Sequence, residues 1–192
     1  MNYALQRVLA IVLLVMALPL LILISLGCLV SGGRILYRGS RIGRYKKKFV
    51  LYKFCTMGSA SSDFMTEEQQ HEWELFGKLK NDPRVSHFGF FLRRFSLDEL
   101  PQLWNVARGD MALVGPRPII DAEDAIYGRY SLLIHSVKPG ITGLWQVSGR
   151  NLLTYRQRIA INRYYVRHRS VKLDLWIIFR TVRAVVGGRG AF

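Results

Sequence analysis

The sequence has few acidic residues and few cysteines, and these two shortages exclude several classes of protein. Of its 192 residues, 13 are Asp or Glu against 28 Lys or Arg, which gives a formal net charge of +15 at pH 7. Its two cysteines, Cys28 and Cys55, are too few for a disulfide scaffold and lack the spacing of a metal site. The absence of HxxxH, Walker-loop and GxGxxG motifs disfavours zinc hydrolases, P-loop NTPases and dinucleotide enzymes.

The excess of basic residues predicts an anionic partner. A chain with this net charge repels itself unless negative charge compensates it, so nucleic acid, an anionic membrane surface and phosphorylated substrates are the candidates. Residues 34–58 contain eight basic side chains and no acidic one, whereas twelve of the thirteen acids lie between Asp63 and Asp124. Carboxylates that take part in catalysis must therefore come mainly from this middle stretch.

Residues 1–33 are expected to form a membrane segment. The 23 residues from Val8 to Val30 contain no charge, and a straight helix of that length would span about 34 Å, enough for a bilayer core. Pro19 lies at its centre, where proline removes a backbone hydrogen bond and favours a kink. A bent helix enters and leaves by the same face, with the basic run after Arg34 on the cytoplasmic side. From the residues alone, a spanning helix and a re-entrant helix both stay open.

The segment Ser96-Leu97-Asp98-Glu99-Leu100-Pro101 has a structural and a chemical interpretation. In the first, Ser96 is an N-cap, Glu99 completes a capping box and Gly109 ends the helix. In the second, the helix N-terminus and two arginines just upstream keep carboxylates ionised and attract phosphate. Asp98 is then a competent nucleophile toward phosphorus, and the adjacent carboxylates are able to hold Mg²⁺ against diphosphate oxygens. Spacing alone favours the cap.

Two later segments suit the binding of phosphate or nucleotide. Arg117 lies between Pro116 and Pro118, which restrict the backbone and present the guanidinium with little entropy left to lose. The alternative is a solvated arginine in a surface turn. The glycine-rich, basic loop from Lys138 to Arg150 contains hydroxyl, amide and indole groups that are able to hold a base, a ribose and phosphate, although such a loop is weak evidence by itself.

Further elements are expected on both sides of these segments. Short strands at 35–37 and 49–54 should flank a basic turn at 39–48, and a polar helix should cover 66–79. Two helices are expected near the C-terminus, at 154–168 and 171–186. One explanation of these helices is a core helix beside a solvated basic helix. Beside a membrane segment, amphipathic helices with Trp and Arg at the membrane interface are the favoured explanation.

The order of these motifs resembles that of the bacterial sugar transferase family, the monotopic phosphoglycosyl transferases. The resemblance covers essentially the whole chain. It rests on Tyr52-Lys53-Phe54, Asp82-Pro83-Arg84-Val85, Leu92-Arg93-Arg94, the segment 96–106, Gly109-Asp110-Met111, Val114-Gly115-Pro116-Arg117-Pro118 and the loop 138–150. The resemblance implies an α+β fold, with a small mixed α/β catalytic core over residues 34–192 and interfacial amphipathic helices. The resemblance also implies a re-entrant membrane helix over residues 1–33, broken at Pro19.

The resemblance implies an enzyme that moves a sugar 1-phosphate from a UDP-sugar to undecaprenyl phosphate and releases UMP. It would work on the cytoplasmic face of the bacterial inner membrane, in contact with phospholipids, and begin the synthesis of exopolysaccharide, capsule or O-antigen. Asp98 would attack the β-phosphorus and carry the phosphosugar, and Glu99 with Asp98 would hold Mg²⁺. The other implied site residues are Arg93 and Arg117 on phosphate oxygens, and Gly140, Thr142, Gln146 and Arg150 on the nucleotide. The sequence of the loop is most similar to that of the family branch that transfers galactose phosphate or glucose phosphate.

Departures from the family pattern and the net charge keep other hypotheses open. Leu18 replaces the serine usual before the proline, Cys55 replaces a basic residue and Asn162 replaces a common carboxylate. Cys55 and Asn162 keep open an inactive family member acting as a scaffold, and the net charge of +15 keeps open a membrane-tethered binder of anionic lipid or nucleic acid. Nucleic acid is the more distant of these partners, because aromatic residues are not interleaved with the basic runs. The identity of the sugar and the oligomeric state, including a homodimer, stay open.

Overall fold

The computed structural model describes residues 1–32, 34–57, 66, 68, 82, 84–149 and 153–186. Its helices are α1 (Tyr3–Gly32), α2 (His87–Arg94), α3 (Gln102–Arg108), α4 (Asp121–Tyr127), α5 (Ser131–Ile134), α6 (Leu144–Ser148), α7 (Tyr155–His168) and α8 (Val171–Val186). Its strands are β1 (Leu36–Ile42), β2 (Lys48–Phe54), β3 (Ala112–Val114) and β4 (Gly140–Thr142). This mixture of helices and small sheets behind an apolar N-terminal helix confirms the α+β class. Most of the polar helix predicted at 66–79 lies outside the described residues.

The strands pair as two separate small sheets. Strands β1 and β2 form an antiparallel hairpin in which Leu36 faces Phe54 and Ile42 faces Lys48. The basic turn is shorter than the predicted 39–48, because β1 continues to Ile42 and the chain reverses where the Gly43 N–H donates to the Lys47 carbonyl at 2.8 Å. Strands β3 and β4 pair in parallel.

Helix α1 packs one narrow stripe of its surface against the rest of the fold. The stripe recurs every three or four residues, as one face of a helix requires. Its buried and partly buried members include Gln6, Ala10, Leu14, Leu21, Ile24 and Cys28. The other faces are apolar and exposed, and among the described residues α1 alone is long and apolar enough to cross a membrane. These properties indicate membrane association. The helix continues through Pro19, and the re-entrant path stays a prediction.

Polar contacts attach the first turns of α1 to the domain. The Gln6 side chain is fully buried and its Oε1 accepts the Leu113 N–H at 2.7 Å, which ties α1 to β3. The Arg7 Nε donates to the Ala107 carbonyl at 2.9 Å, near the end of α3. Because a buried amide is costly unless it is bonded, these contacts specify how α1 sits on the domain.

The core joins α1, the hairpin, α3, β3 and the C-terminal helices. Val106, Met111, Val114 and Ile177 are at most 1% exposed and belong to one apolar cluster. A second cluster lies where α1, β2 and α2 meet, and its buried members are Ile24, Cys28, Phe54 and Leu92. Together the two clusters hold the end of β2 and the start of α3 in fixed positions.

Helix α8 has its predicted bounds, and α7 begins one residue later than predicted, at Tyr155. The Thr154 Oγ1 accepts the Gln157 N–H at 3.3 Å, while the Gln157 Oε1 accepts the Thr154 N–H at 2.9 Å, so a capping box begins α7. On α8, Trp176 and Phe179 are exposed, and the Arg180 guanidinium lies 4.9 Å from the centroid of the Trp176 ring. A surface of this composition suits the predicted interfacial helix, whose contact with a membrane stays a prediction.

Candidate active site

Helix α2 is held tightly against the end of β2. The Ser86 hydroxyl accepts the Gly89 N–H at 2.9 Å and caps the helix. A Cβ on Gly89 would lie 2.2 Å from the Thr56 carbonyl oxygen, so this close approach requires glycine. One turn later, the Arg93 Nε donates to the Thr56 Oγ1 at 2.9 Å. The packing of Gly89 thereby sets the position of the Arg93 guanidinium.

The turn that contains Asp98 and Glu99 is not the capping box predicted from spacing. Ser96 has a left-handed φ of 54° and makes no capping hydrogen bond. Residues Leu97–Glu99 form a 3-10 turn, and α3 begins only after Pro101, whose restricted φ and missing N–H suit the start of a helix. The cap prediction is therefore wrong. The predicted end of the helix is confirmed, since α3 stops before Gly109, which has a φ of 91°.

Asp98 is a buried carboxylate in a group of charged side chains. It is 7% exposed, and its burial together with the neighbouring Glu99 raises its pKa to about 6. Lys53, Arg93 and Arg117 act in the opposite direction and lower this pKa, because nearby positive charge favours the ionised carboxylate. The fold thus brings three cations from separate segments close enough to act on Asp98.

Arg117 holds the second carboxylate. Its Nη1 donates to the Glu99 Oε1 at 3.0 Å, and this carboxylate is the main cause that raises the pKa of Arg117. The Arg117 side chain is 38% exposed, so part of the guanidinium stays accessible to a ligand. Arg117 therefore contacts the acidic pair directly, rather than extending from a separate surface turn.

Lys53 completes the charged group, and the sequence prediction assigned it no role. It lies on β2 opposite Tyr37, and its Nζ is 5.2 Å from the centroid of that ring. Burial lowers the pKa of Lys53, while the charge of Asp98 raises it. The signal in the sequence was a lysine at the end of a predicted strand, in the segment Tyr52-Lys53-Phe54.

Asn105, which sequence reasoning did not single out, fixes β2 to α3. Its side chain is fully buried, its Oδ1 accepts the Tyr52 N–H at 3.1 Å and its Nδ2 donates to the Val50 carbonyl at 2.7 Å. The strand that carries Lys53 is thus bonded to the helix that follows Asp98.

Gly140, the first of the predicted nucleotide-binding residues, lies next to the segment that contains Arg117. The Gly140 N–H donates to the Pro116 carbonyl at 2.9 Å, and a Cβ on Gly140 would lie 2.1 Å from the Gly115 nitrogen, so packing alone requires this glycine. The Thr142 Oγ1 lies 2.7 Å from the Thr181 Oγ1 and is thus engaged with α8.

Gln146 differs from these two residues. Its Nε2 donates to the Ile141 carbonyl at 3.1 Å, whereas its Oε1 is buried without a hydrogen-bond partner. This oxygen is able to accept a hydrogen bond from a ligand group such as an N–H of a base. Arg150 lies outside the described residues, and the nucleotide roles of all four residues stay predictions.

Asp98 and Glu99 offer the oxygen donors that Mg²⁺ prefers. No group of three or more His, Cys, Asp or Glu side chains is close enough to hold a metal within the described parts of the chain. Mg²⁺ is commonly held by one or two carboxylates together with substrate phosphates. Asp98 and Glu99 are adjacent in one 3-10 turn, which fits a cation shared with a bound diphosphate.

Comparison with known proteins gives one family match and several close relatives. Residues 1–188 match the family described as bacterial sugar transferase. The chain is 42% identical over 189 residues to the undecaprenyl-phosphate galactose phosphotransferase of Salmonella typhimurium, which covers 95% of this chain and 40% of that protein. It is 41% identical over 189 residues to the UDP-galactose-lipid carrier transferase of Erwinia amylovora, with the same coverage of 95% and 40%.

A shorter relative is matched over most of its length. The exopolysaccharide production protein ExoY of Sinorhizobium fredii is 40% identical over an alignment of 193 positions, which covers 96% of this chain and 85% of that protein. The chain therefore spans about two fifths of the length of the Salmonella and Erwinia relatives and 85% of the length of ExoY.

Proposed function

This chain belongs to the bacterial sugar transferase family, and we propose that it transfers a sugar 1-phosphate from a UDP-sugar to undecaprenyl phosphate and releases UMP. The observation that carries this proposal is the presence of the acids Asp98 and Glu99 in one group with the cations Lys53, Arg93 and Arg117. Such a group provides a nucleophile and the positive charge that a diphosphate requires. Because two relatives are named for galactose, galactose 1-phosphate is the first sugar we propose, with glucose 1-phosphate as the second.

In the first step, a carboxylate oxygen of Asp98 attacks the β-phosphorus of the UDP-sugar. A new P–O bond forms, the bond from the β-phosphorus to the bridging oxygen breaks, and UMP leaves with that electron pair. Lys53, Arg93 and Arg117 keep Asp98 ionised and stabilise negative charge on the phosphoryl oxygens. The product is a phosphosugar linked covalently to Asp98.

In the second step, a phosphate oxygen of undecaprenyl phosphate attacks the phosphorus of this intermediate. The bond to Asp98 breaks, the carboxylate is restored and the sugar leaves on a lipid diphosphate. Both steps bring phosphate groups to the same cations, so one site serves the two substrates in turn.

We propose that Asp98 and Glu99 hold Mg²⁺ together with the substrate diphosphate. When bound, the ion neutralises charge on phosphoryl oxygens and on the departing UMP. Glu99 is positioned for this by Arg117, which donates to only one of its two oxygens, the Oε1 at 3.0 Å.

We place the reaction on the cytoplasmic face of the inner membrane. The exposed apolar faces of α1 enter the bilayer, and the basic residues after Arg34 contact anionic phospholipids. The Trp176 and Arg180 pair on α8 suits the headgroup region. The lipid-linked sugar would begin exopolysaccharide synthesis, the process for which ExoY is named.

Release of UMP from UDP-galactose and UDP-glucose, with undecaprenyl phosphate and Mg²⁺, tests the proposal. We expect the wild type to release UMP with at least one donor, and Asp98→Asn to be slower by roughly 10³-fold or more, because the nucleophile is lost. Asp110→Asn is the matched control, since Asp110 lies outside the charged group and pairs with Arg108. Equal rates for the wild type and Asp98→Asn, or a phosphosugar trapped on another residue, would contradict the mechanism. An inactive scaffold would release no UMP with any donor.

A further inference from the structure

Helix α2 carries a row of aromatic side chains that the proposed chemistry does not use. Phe88, Phe91 and Phe95 lie one helical turn apart, with ring centroids separated by 6.4 Å for the first two and 5.2 Å for the last two. Phe91 is 49% exposed, and Phe90, which precedes it and lies on an adjoining face of the helix, is 50% exposed. We refer to these four phenylalanines as the aromatic ridge. Phe90 and Phe91 expose large apolar side chains beside the partly buried rings of Phe88 and Phe95, which indicates a surface that an apolar ligand is able to cover.

One end of the aromatic ridge lies against α1. A Cβ on Gly27 would fall 2.4 Å from the Phe88 Cζ, so the Phe88 ring rests directly on the backbone of α1 at this glycine. Leu23 and Leu26, within one turn of Gly27, are 65% and 55% exposed. The aromatic ridge therefore continues the apolar surface of the helix that we propose to enter the membrane.

The other end of the aromatic ridge lies at the charged group. The exposed Arg94 guanidinium is 5.7 Å from the centroid of the Phe95 ring, and Arg93 acts on the pKa of Asp98. Phe95 precedes Asp98 by three residues in the chain. An apolar path thus runs from α1 toward Arg94 and toward the segment that carries Arg93 and Asp98.

We propose that the aromatic ridge binds the isoprenoid chain of a polyisoprenyl phosphate, the acceptor, with its phosphate directed toward Arg94 and the charged group. The ligand and the protein surface are complementary along their length. Each has a long apolar part that ends in charge, which is negative on the ligand's phosphate and positive on the arginines of the surface. A phospholipid offers similar chemistry, but only the acceptor must bring its phosphate to Asp98, where the aromatic ridge ends. This inference rests on the proposed function, since the acceptor is its second substrate.

The test separates the two steps of the reaction. Exchange of labelled UMP into the UDP-sugar reports the first step without any acceptor, whereas transfer to undecaprenyl phosphate in detergent reports both steps. For the double variant Phe90→Ser, Phe91→Ser, we expect exchange within about twofold of the wild type and a KM for undecaprenyl phosphate raised roughly tenfold. Trp104→Ser is the matched control, because Trp104 is an exposed aromatic residue on α3, 53% accessible, and does not belong to the ridge. It should leave both values unchanged.

Acceptor length provides a second readout. If the isoprenoid chain lies along the aromatic ridge, the wild type should use undecaprenyl phosphate at a lower KM than farnesyl phosphate, and the double variant should lose most of this preference. If the double variant also loses UMP exchange, the milder variant Phe91→Ala takes its place. The same two measurements, UMP exchange and the KM for undecaprenyl phosphate, then decide the proposal.

An unchanged acceptor KM in the double variant would overturn the aromatic-ridge proposal and leave the proposed function intact. Weaker binding to phosphatidylglycerol vesicles with an unchanged acceptor KM would assign the ridge to general membrane attachment, and would overturn the proposal as well. Absence of UMP exchange in the wild type would instead count against the covalent step of the proposed function, and the acceptor KM would still decide the ridge.

Discussion

The Arg117 guanidinium donates to the Glu99 carboxylate at 3.0 Å, and this contact joins the segment between two prolines to the turn that contains Asp98 and Glu99. The two residues are 18 positions apart, so the contact belongs to the tertiary structure and not to one helix. Glu99 is thereby held by a cation of the protein itself, and the same guanidinium stays partly open to a phosphate.

Replacing Arg117 by lysine should lower the rate of UMP release by about 10²-fold, since a lysine lacks the planar fork that contacts Glu99 and a phosphate together. Steady-state kinetics with UDP-galactose measures the effect. Arg108→Lys is the control, because Arg108 is about half exposed and pairs with Asp110 at 3.5 Å. Similar rates for both variants would show that Arg117 does not act on the substrate.

Asp98→Asn should raise stability at neutral pH while it removes activity. The carboxyl has a pKa of about 6 in the folded chain against 3.8 ordinarily, so the folded state binds more protons than the unfolded state between these values. Wild-type stability therefore falls as pH rises from about 4 to 6 and stays lower above that range. The amide avoids this loss, and we expect a gain of roughly 1–3 kcal/mol at pH 8 that vanishes near pH 4. Thermal unfolding in detergent at both pH values measures it, and a loss of stability at pH 8 would contradict the prediction.

Activity of the wild type should decline as pH falls through about 6, because protonated Asp98 cannot attack phosphorus. Lys53→Met removes a cation that lowers the pKa of Asp98, so this decline should move to higher pH and kcat should drop by about tenfold or more. The pH profile of kcat/KM for the UDP-sugar is the measurement. Lys48→Met, on the same strand but in an exposed pair with Asp121, should leave the profile unchanged. Identical profiles for the two variants would exclude an effect of Lys53 on Asp98.

Asn105→Ala should destabilise the fold by about 2–4 kcal/mol, because it leaves the Val50 carbonyl and the Tyr52 N–H without their buried partner. The variant should also slow UMP release, since β2 carries Lys53. Thermal unfolding in detergent gives the first value and kinetics the second. An unfolding temperature equal to that of the wild type would show that the hairpin does not depend on this side chain.

Local signals predicted the elements whose ends depend on local contacts. Helix α7 begins where Thr154 and Gln157 bond reciprocally within one turn, so its start could be predicted from four residues. The capping box at Ser96 failed although it has the same spacing, because Pro101 offers another helix start and Glu99 finds Arg117 instead. A distant partner had replaced the local one, and spacing carries no information about distant partners.

Sequence reasoning identified four residues of the charged group but not how they are arranged, and their roles stay predictions. Asp98, Glu99, Arg93 and Arg117 were identified from motifs and the family resemblance, and the structure brings all four into one charged group. Lys53 received no role because one lysine in a strand resembles a solvent-facing residue. Its burial becomes visible only once β2 is bonded to α3 through Asn105.

The stripe along α1 fixes the position of the charged group relative to the apolar faces of that helix. A domain on a flexible tether would rise and rotate above the bilayer, whereas contacts from Gln6 to Cys28 make helix and domain one rigid unit. When the apolar faces of α1 enter a membrane, the height of Asp98 above the lipid is set with them. On the proposed function, the encounter with a lipid acceptor would then be a search in two dimensions, governed by the number of acceptors per area of membrane.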